Sequence, residues 1–468
     1  MTEAADDEIW GDWWLPGADE LLHGRLTFDR SEGARLTVVG DFAALPPRAW
    51  SRPALFGESA QGTRLTLLEP FWLERPPPIE GASFSNVKTL VSAHVLLRGT
   101  HAASEEGFPI QRAAVRLRGL RELCLRPSIP RIGVIRGFVG DGEGEQPEQT
   151  VDVRGGRLTF VHRRYETRSE YRQTVEVDVE VDIAADAPSP LGEFWKRWLA
   201  PLQGLIIFAG RDPTCVESMV VIQPSTTEVH PAISRGSRVN WREERVEVLM
   251  PLPGLAADAK YGYRRALLPL TVLGDDAPAF IHRWWELHDT LGPATELLMS
   301  ALGSRLFLEN RLLNELSFAE SYHRVLHDEP PITEEQHATY LEAMLTTVED
   351  PAHQKHYRTR LRYAAAQGQR QRLKWLIRRA RKALPELSGL KAKLADQLVD
   401  TRNALTHLDS TGASALTDEP LYRAIELLEI TIQANLLMDL ELTANDAGGL
   451  IRTSYINQTP FIPTNQGT

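Results

Sequence analysis

Cysteine is almost missing from this chain of 468 residues, which contains only Cys124 and Cys215. Two thiols supply neither a framework of several disulfides nor a zinc site of four cysteines. The sequence therefore favours buried, reduced thiols, as in proteins of a reducing cytoplasm.

Long apolar segments are also missing. No uninterrupted apolar run reaches the roughly 18 residues that a membrane-spanning helix needs. The first eight residues are acidic and do not resemble the hydrophobic part of a signal peptide. We therefore expect a cytoplasmic protein without a membrane partner.

Two widespread catalytic motifs do not occur in the sequence. There is no Gly-rich phosphate loop of the P-loop type and no Gly-x-Ser-x-Gly elbow. Nucleotide hydrolysis and acyl transfer therefore have no support.

The apolar content of 42% and the charged content of 25% are those of a folded globular protein. The length predicts two or three domains.

Short runs of alternating apolar and polar residues predict β-strands in the first half. These runs cover residues 24–28, 35–40, 63–68, 91–97, 114–117 and 174–183. They indicate an antiparallel arrangement with one solvated face. Acids alternate with valines in the last run, and we interpret them as its solvated face rather than as metal or glycosidase carboxylates. One helix is predicted between the strands, at residues 191–205.

Helical patterns dominate from residue 277 onward. The predicted helices cover residues 280–291, 294–326, 333–348, 352–366, 369–384, 387–408 and 420–442. The predicted fold class is α+β, with a β-rich N-terminal region of antiparallel sheets followed by an all-α bundle. The predicted domains are residues 1–258, forming one or two subdomains, and residues 259–450, followed by a flexible tail at 451–468.

Positive charge is concentrated in one segment, although the net charge is −11. Between Lys355 and Lys393 thirteen basic residues accompany one acid, Glu386. Apolar residues at 373, 376, 377, 380 and 384 predict a core-facing stripe that leaves the cations outside. We interpret the stretch from Arg370 to Leu384 as a contact for the RNA backbone, with a solvated surface or a membrane-surface helix as alternatives. The predicted RNA-binding residues are Arg370, Arg372, Lys374, Arg378, Arg379, Arg381 and Lys382.

A hexapeptide in the next predicted helix has the composition of a ribonuclease site. It is Arg402-Asn403-Ala404-Leu405-Thr406-His407. Asn403 and His407 share one helix face, and Arg402 lies about 100° around the axis. The histidine can exchange a proton near neutral pH, and the guanidinium can bind phosphate oxygens as charge develops. The RNA 2′-hydroxyl would be the nucleophile, so we expect no metal and no cofactor. The predicted catalytic residues are Arg402, Asn403 and His407.

The Arg-x4-His spacing occurs twice more, from Arg157 to His162 and from Arg283 to His288. The first pair falls in a predicted strand, and the second has tryptophan after its arginine. Only the third pair combines a helix with a polar residue after the arginine. The alternative for this third pair is a solvated helix face.

Two further groups on the predicted helix at 294–326 have competing interpretations. His323 and His327 stand at i and i+4, a spacing that holds zinc when a third ligand converges. Surface histidines are the other interpretation. Glu315 and Glu320 either orient the Arg402 site or are ordinary surface acids.

Two segments resemble known families. Asp400-Thr-Arg-Asn-Ala-Leu-Thr-His-Leu408 resembles the signature helix of the HEPN superfamily, which includes RNA-cleaving toxins and antiviral nucleases. The N-terminal motifs, in order, are Trp14-Leu-Pro16, Gly24-Arg-Leu26-Thr-Phe28, a second short strand and Leu55-Phe56-Gly57-Glu58. Their order resembles the N-terminal domain of ApeA-like anti-phage proteins.

The resemblance implies a homodimer in which the two signature helices meet, so that Arg402 and His407 of both chains line one cleft. It implies that Asn403 positions His407 or the phosphate, and that RNA, with tRNA as one candidate, is cut without a metal to leave a 2′,3′-cyclic phosphate. The N-terminal region would restrain or trigger this activity in response to a phage-derived trigger, as in abortive infection. The alternatives are a non-catalytic RNA-binding or dimerisation module and a nucleotidyltransferase-type toxin that uses ATP and magnesium.

Overall fold

The computed structural model describes most of the chain. The described residues are 8–42, 52–74, 88–124, 133–134, 148–169, 172–224, 243–251, 267–304, 306–329, 332–362, 365–389, 393–407 and 415–455. Contacts divide the chain into two units. The first consists of Met1–Ile206, Asp212–Tyr263 and Pro269–His282, and the second of Ile207–Arg211, Arg264–Leu268 and Arg283–Thr468.

The first unit is built on one antiparallel sheet of fifteen strands. The strands are β1 Ile9–Trp14, β2 Leu22–Asp29, β3 Gly33–Val39, β4 Ala54–Ser59, β5 Arg64–Leu68, β6 Phe71–Glu74, β7 Lys88–Ala93, β8 Val95–Arg98, β9 Ile110–Leu117, β10 Gly133–Val134, β11 Gln149–Val153, β12 Gly156–Ser169, β13 Arg172–Ser189, β14 Val216–Pro224 and β15 Glu243–Leu249. Their order is β11-β12-β13-β9-β14-β15-β8-β5-β4-β1-β2-β3-β7-β6, and β10 pairs with β13. A short helix, α1 Leu120–Cys124, follows β9.

The alternation that predicted the early strands appears in their burial. In β2, Gly24 and Leu26 are buried while Arg25 between them is exposed. The strand β5 differs from the predicted pattern of one solvated face, because all four residues from Leu65 to Leu68 are buried. Its polar member, Thr66, is satisfied inside the protein by donating a hydrogen bond of 2.9 Å to the carbonyl of Thr100.

The core of the N-terminal strands forms around Trp13, which is fully buried. Its indole lies against the backbone of β4, because a side chain at Gly57 would place Cβ only 2.5 Å from two indole carbons. Gly24, on β2, is needed mainly by the neighbouring strand β3, since a Cβ there would lie 2.6 Å from the Val38 side chain and 2.8 Å from the Thr37 carbonyl oxygen. Of the two glycines, Gly57 is the one that makes room for the tryptophan.

The longest strands, β12 and β13, pair antiparallel from Gly156–Ala185 to Ser169–Arg172, and Gly155, whose φ is +90°, lies in the turn that joins β11 to β12. The predicted run 174–183 lies in β13, and its Val181 and Ile183 are buried. On the opposite face, Glu180 pairs with Arg163 at 3.0 Å. Asp178 pairs with Arg116 of β9 at 3.4 Å, so two acids of this strand lie in cross-strand pairs, as expected of a solvated face. The side chains at 175 and 177 lie outside the described residues.

The segment after β13 is helical, as predicted. It begins as α2 Leu191–Phe194, passes through a π-helical turn at Trp195–Leu199 and continues as α3 Ala200–Gly210. Phe194 and Trp198 are fully buried.

The second unit is helical from residue 283 onward. The helices in and leading into it are α4 Ala277–Leu291, α5 Ala294–Gly303, α6 Leu308–Leu326, α7 Glu334–Leu345, α8 Pro351–Leu361, α9 Gln369–Ala380, α10 Lys393–His407, α11 Asp418–Asp439 and α12 Ala444–Tyr455. A 3-10 turn, Pro385–Gly389, lies between α9 and α10. None of the helices in the described ranges is long and apolar enough to cross a membrane.

The helix predicted at residues 294–326 is two helices. The backbone is extended at Ser304 and again at Phe307, which ends α5 and begins α6. Gly303 ends α5 close to Ile207, whose side chain would lie 3.2 Å from a Cβ at the glycine position. Helical periodicity continues across this break, so the pattern of apolar residues does not reveal it.

The helix α12 was not predicted. It contains Gly448 and Gly449, which lower helix propensity. Gly448 is required by packing, because a Cβ there would lie 2.1 Å from the carbonyl oxygen of Ala383. The helix extends to Tyr455, so the first five residues of the predicted tail are helical and Ile451 is fully buried. Residues 456–468 lie outside the described part of the chain.

The helix α11 is the centre of the bundle. It packs against α6, α9 and α12, and its buried residues surround the helix rather than forming one stripe. Five of them are polar: Glu426, Glu429, Thr431, Gln433 and Asn435. Because buried polar groups must find partners, this helix determines which side chains its neighbours supply.

Replacing Gly57 by alanine will destabilise the first unit. The added methyl group collides with the Trp13 ring, and overpacking of this kind costs about 1 to 3 kcal/mol. Chemical denaturation followed by tryptophan fluorescence measures the change. Gly107→Ala is the matched control, because its nearest neighbour would be 3.4 Å away. Equal stability of the two variants would show that Trp13 does not need the glycine.

Candidate ribonuclease site

The predicted signature segment forms helix α10. Leu394 and Leu398 are buried as predicted, whereas Leu405 is half-buried. Thr401 is buried as well, and its hydroxyl accepts a hydrogen bond of 3.0 Å from the backbone nitrogen of Leu416. This bond joins α10 to the chain just before α11. The helix packs on α9 and α6.

Arg402 and Asn403 are half-buried on α10. The Nη1 atom of Arg402 donates to the side-chain oxygen of Asn403 over 3.3 Å. Among the described residues, no carboxylate lies within ion-pair distance of the Arg402 guanidinium. His407 is the last residue of the helix, and its side chain lies outside the described part. Within the described ranges, the Arg402 guanidinium is therefore bonded to a neutral amide, and a guanidinium in this situation is suited to binding a phosphate.

Helix α9 carries the predicted RNA-binding cations, and two of them point into the bundle. Arg372 is 2% exposed, donates 2.9 Å to the carbonyl of Gln367 and pairs with Asp328 at 3.3 Å. Arg379 is bound to the carboxylate of Asp439. The charges of both arginines are compensated inside the protein.

Two other cations of α9 pair with acids of α10. Lys374 lies 2.9 Å from Asp396, and Arg370 forms an ion pair with Asp400. Asp400 stands two residues before Arg402, so these pairs hold the predicted site onto α9. Arg378 and Lys382 are exposed, and Arg381 is half-buried.

The apolar stripe predicted for α9 is confirmed. Leu373, Leu376, Ile377, Ala380 and Leu384 are all buried. The prediction that all cations lie outside this stripe was too simple, because a long side chain such as that of Arg372 can return into the core when a carboxylate is present there.

Asp439, at the end of α11, is the centre of a polar cluster. Its carboxylate lies 2.9 Å from Nε2 of His327 and accepts hydrogen bonds from Tyr322 and Arg379. Burial alone would raise the pKa of Asp439, but the hydrogen bonds from His327, Arg379 and Tyr322 lower it to about 2. Burial, followed by the charge of Asp439, raises the pKa of Tyr322. The carboxylate is therefore ionised at neutral pH.

The predicted pair His323 and His327 does not converge on a third ligand. His327 binds Asp439 and stacks on the ring of Trp375 at 4.6 Å. His323 is fully buried, and neither of its ring nitrogens has a hydrogen-bond partner. The described residues contain no group of three or more potential ligands that could hold a metal ion.

The two acids considered as partners of Arg402 have other partners. Glu315 is fully buried and bonded to Arg311 at 2.9 Å, and burial raises its pKa. Glu320 pairs with Arg324 at 2.7 Å. Among the described contacts, neither acid reaches Arg402.

Comparison with known families decides what these two regions are. The model of the family described as ApeA N-terminal domain 1 matches residues 8–284, more than half of the chain. The chain belongs to this family. A second family model, described as Apea-like HEPN, matches residues 313–446 and so includes the whole of α10. No curated protein and no solved structure matches the chain.

The predicted ApeA-like HEPN architecture is thereby confirmed, together with the α+β fold class. The two domains support a HEPN protein of anti-phage defence. HEPN domains in general are associated with nuclease activity, dimerisation and RNA. The matched segment 313–446 is called the HEPN domain below.

Sequence reasoning missed the acids that bind the basic segment of this ApeA-family chain. Asp396 and Asp400 stand at i and i+4, so their placement on one face of α10 could have been predicted. Asp439 could not have been found in this way. It is a single acid at a helix end, and its partners come from helices distant in the sequence.

Replacing Arg372 by alanine will destabilise the HEPN domain by about 3 kcal/mol, because Asp328 loses its charge partner in a partly buried place. Arg378→Ala, an exposed change on the same helix, will alter the free energy of unfolding by less than about 0.5 kcal/mol. Urea denaturation of both variants measures the difference. Equal effects would show that Arg372 is a surface cation.

Acid will destabilise the wild-type chain through His323. Burial, followed by the charges of Arg372 and His327, lowers its pKa to about 4, below the ordinary 6.5. The unfolded chain therefore binds the proton first, so this contribution to stability is complete above pH 6.5 and is lost as the pH falls to about 4. His323→Leu will reduce the loss over this range by about 1 kcal/mol or more. The exposed His353→Leu is the control, and an equal pH dependence in both variants would contradict the prediction.

Proposed function

We propose that this chain is a metal-independent endoribonuclease of anti-phage defence, acting through Arg402, Asn403 and His407. The observation that carries the proposal is the charge balance around α10. Four cations of the neighbouring helix α9 are paired with acids, while Arg402 has only the amide of Asn403 among the described residues. A guanidinium left without a carboxylate in a matched HEPN domain is available to a phosphate.

The proposed reaction is transesterification within the RNA. The 2′-oxygen attacks the adjacent phosphorus, and the bond from phosphorus to the 5′-oxygen of the next nucleotide breaks. One histidine accepts the proton of the 2′-hydroxyl, and a second protonates the leaving 5′-oxygen. Arg402 stabilises the charge that develops on the phosphate oxygens. The products carry a 2′,3′-cyclic phosphate and a 5′-hydroxyl.

Two histidines in one cleft require a second chain, since α10 supplies only His407. We therefore propose a homodimer in which two copies of α10 meet. Asn403, bonded to Arg402, would hold the guanidinium toward the shared phosphate. The exposed Arg378 of α9 and Lys382 just after it remain available for RNA, whereas Arg372 and Arg379 bind acids inside the bundle.

The region matched as ApeA N-terminal domain 1 is proposed to restrain or trigger the nuclease when a phage component is present. The domain limits at 258 and 450, the cytoplasmic location and tRNA as a candidate substrate belong to the same proposal. They follow from the family and from the sequence, and the nuclease assay below does not depend on them.

Purified protein will cleave total tRNA or a synthetic single-stranded RNA in excess EDTA, leaving cyclic-phosphate ends. His407→Ala and Arg402→Ala will lower the rate by about a hundredfold or more, because each removes a group that acts in the transition state. His23→Ala and Arg423→Ala, which alter exposed residues outside the proposed site, are the matched controls.

If both the Arg402→Ala variant and the His407→Ala variant cleave RNA as well as the wild type, the proposal that this site is the nuclease is wrong. Dependence on ATP and magnesium would instead indicate nucleotidyl transfer. RNA binding without cleavage has two explanations, a nuclease awaiting its trigger and a binding module. Toxicity on expression separates them, because only the nuclease will lose toxicity with His407→Ala.

A further inference from the structure

Helices α7 and α8 form a hairpin with almost no core. Leu345 is the one buried residue of α7, and α8 has none. The helices contain 12 and 11 residues, lengths at which an isolated helix is marginal in water. Local signals begin them: Thr333 forms a capping box with Gln336, and Asp350 caps α8 ahead of Pro351. The hairpin therefore presents two exposed helices without using them to build the bundle.

Charge is separated along the hairpin. All of its acids precede residue 351, and α8 with the residue that follows it contains four cations and no acid. One cation, Arg358, pairs with Glu342 of α7 at 2.9 Å. Lys355 and Arg360 are exposed, and neither has an ion-pair partner among the residues that the structure describes. A helix of this composition attracts a polyanion.

Aromatic rings lie among these cations. Tyr357 is 45% exposed, and its ring lies 5.8 Å from that of the exposed His356. Single-stranded RNA is bound by this combination, in which bases stack on aromatic rings while cations contact phosphates. A second protein chain or a membrane would require an apolar face, and α8 presents none.

The cations of α9 are engaged differently. Arg372 and Arg379 bind acids within the bundle, and Arg370 and Lys374 bind acids of α10. A phosphate would have to displace those carboxylates. Lys355 and Arg360 require no such displacement.

We propose that α8 is an RNA-binding arm of the HEPN domain, in which Lys355 and Arg360 contact phosphates and Tyr357 stacks on a base. The inference rests on the proposed function in taking RNA as the substrate class. It assigns RNA binding to a helix outside the predicted stretch 370–382.

Binding is measured in the full chain carrying His407→Ala, so that the RNA stays intact. The probe is a fluorescein-labelled single-stranded RNA, followed by anisotropy over a series of KCl concentrations. Adding Lys355→Glu and Arg360→Glu will weaken binding at least about tenfold at low salt. It will also reduce the slope of log Kd against log salt by about 1.4, since each phosphate contact on a single strand contributes about 0.7.

The matched control carries Arg324→Glu and Arg423→Glu. Both arginines are exposed on other helices of the HEPN domain, and the change in net charge is the same. In the same series the control will bind RNA within about threefold of the chain that carries His407→Ala alone once KCl reaches about 0.15 M, because charges farther from the RNA than about 8 Å are then largely screened. It therefore separates loss of a contact from loss of net positive charge.

Stacking is tested by Tyr357→Leu. It will weaken binding at least about fivefold without changing the salt slope, because a base loses its ring while the phosphate contacts remain. Tyr340→Leu is the control, since Tyr340 is also exposed but lies on the acidic helix α7. Thermal melting checks that these surface variants remain folded.

The inference fails if the variant with Lys355→Glu and Arg360→Glu binds RNA as well as the control variant, even when the wild type cleaves RNA. It also fails if the chain that carries His407→Ala alone does not bind the probe at low salt. A changed mass in analytical ultracentrifugation together with lost binding would identify the hairpin as a contact between copies of the chain instead. Binding that depends on α8 in a chain without EDTA-resistant cleavage would reject the nuclease and retain the RNA-binding arm.

Discussion

The arrangement of the HEPN domain depends on the carboxylate of Asp439. It stands at the end of α11, and its partners come from two other helices, with Tyr322 and His327 from the α6 end and Arg379 from α9. A partly buried carboxylate is costly unless its lone pairs are filled, and here three donors fill them. Each of α6, α9 and α11 is therefore held in one orientation about its own axis, because rotating any of them would leave a buried charge unpaired.

A second buried ionic cluster lies further along α11. Arg311 of α6 binds Glu315 on its own helix and Glu426 and Glu429 on α11, while Arg211 binds Glu429. Apolar contacts alone would permit several packings of the helices. Two ionic clusters at different positions along α11 fix how far each neighbouring helix is shifted along it. This constraint reaches the proposed active site indirectly. Helix α9 is held by Arg379, and α10 is held on α9 by Arg370 and Lys374.

The same constraint divides the basic segment by role. Its sequence shows a single stretch of positive charge, but acids at 328, 396, 400 and 439 compensate four of its members. Within the part of the segment that the structure describes, cations for which no such acid is seen include the exposed Arg378 of α9 and Lys355 and Arg360 of α8. The positively charged surface that is open to a polyanion is therefore smaller than the number of basic residues suggests, and part of it lies on the α7–α8 hairpin. Arg402 is separate from both groups because its hydrogen-bond partner is neutral.

The sequence by itself determined the fold class and most elements, because periodicity and turn residues act locally, and the resemblance of two segments indicated the family. The strands near residues 26 and 36, the buried stripe of α9 and the helical signature segment with Arg402 and Asn403 all followed from spacing. Only the tertiary structure decided the break at Ser304, the helix α12 and the partners of Arg372, Arg379 and Glu315. Those depend on close backbone approach, as at Gly448, and on charge pairs between helices distant in the chain. Close backbone approach and charge pairs between distant helices produce no periodic pattern in the sequence, because only folding brings the two partners together.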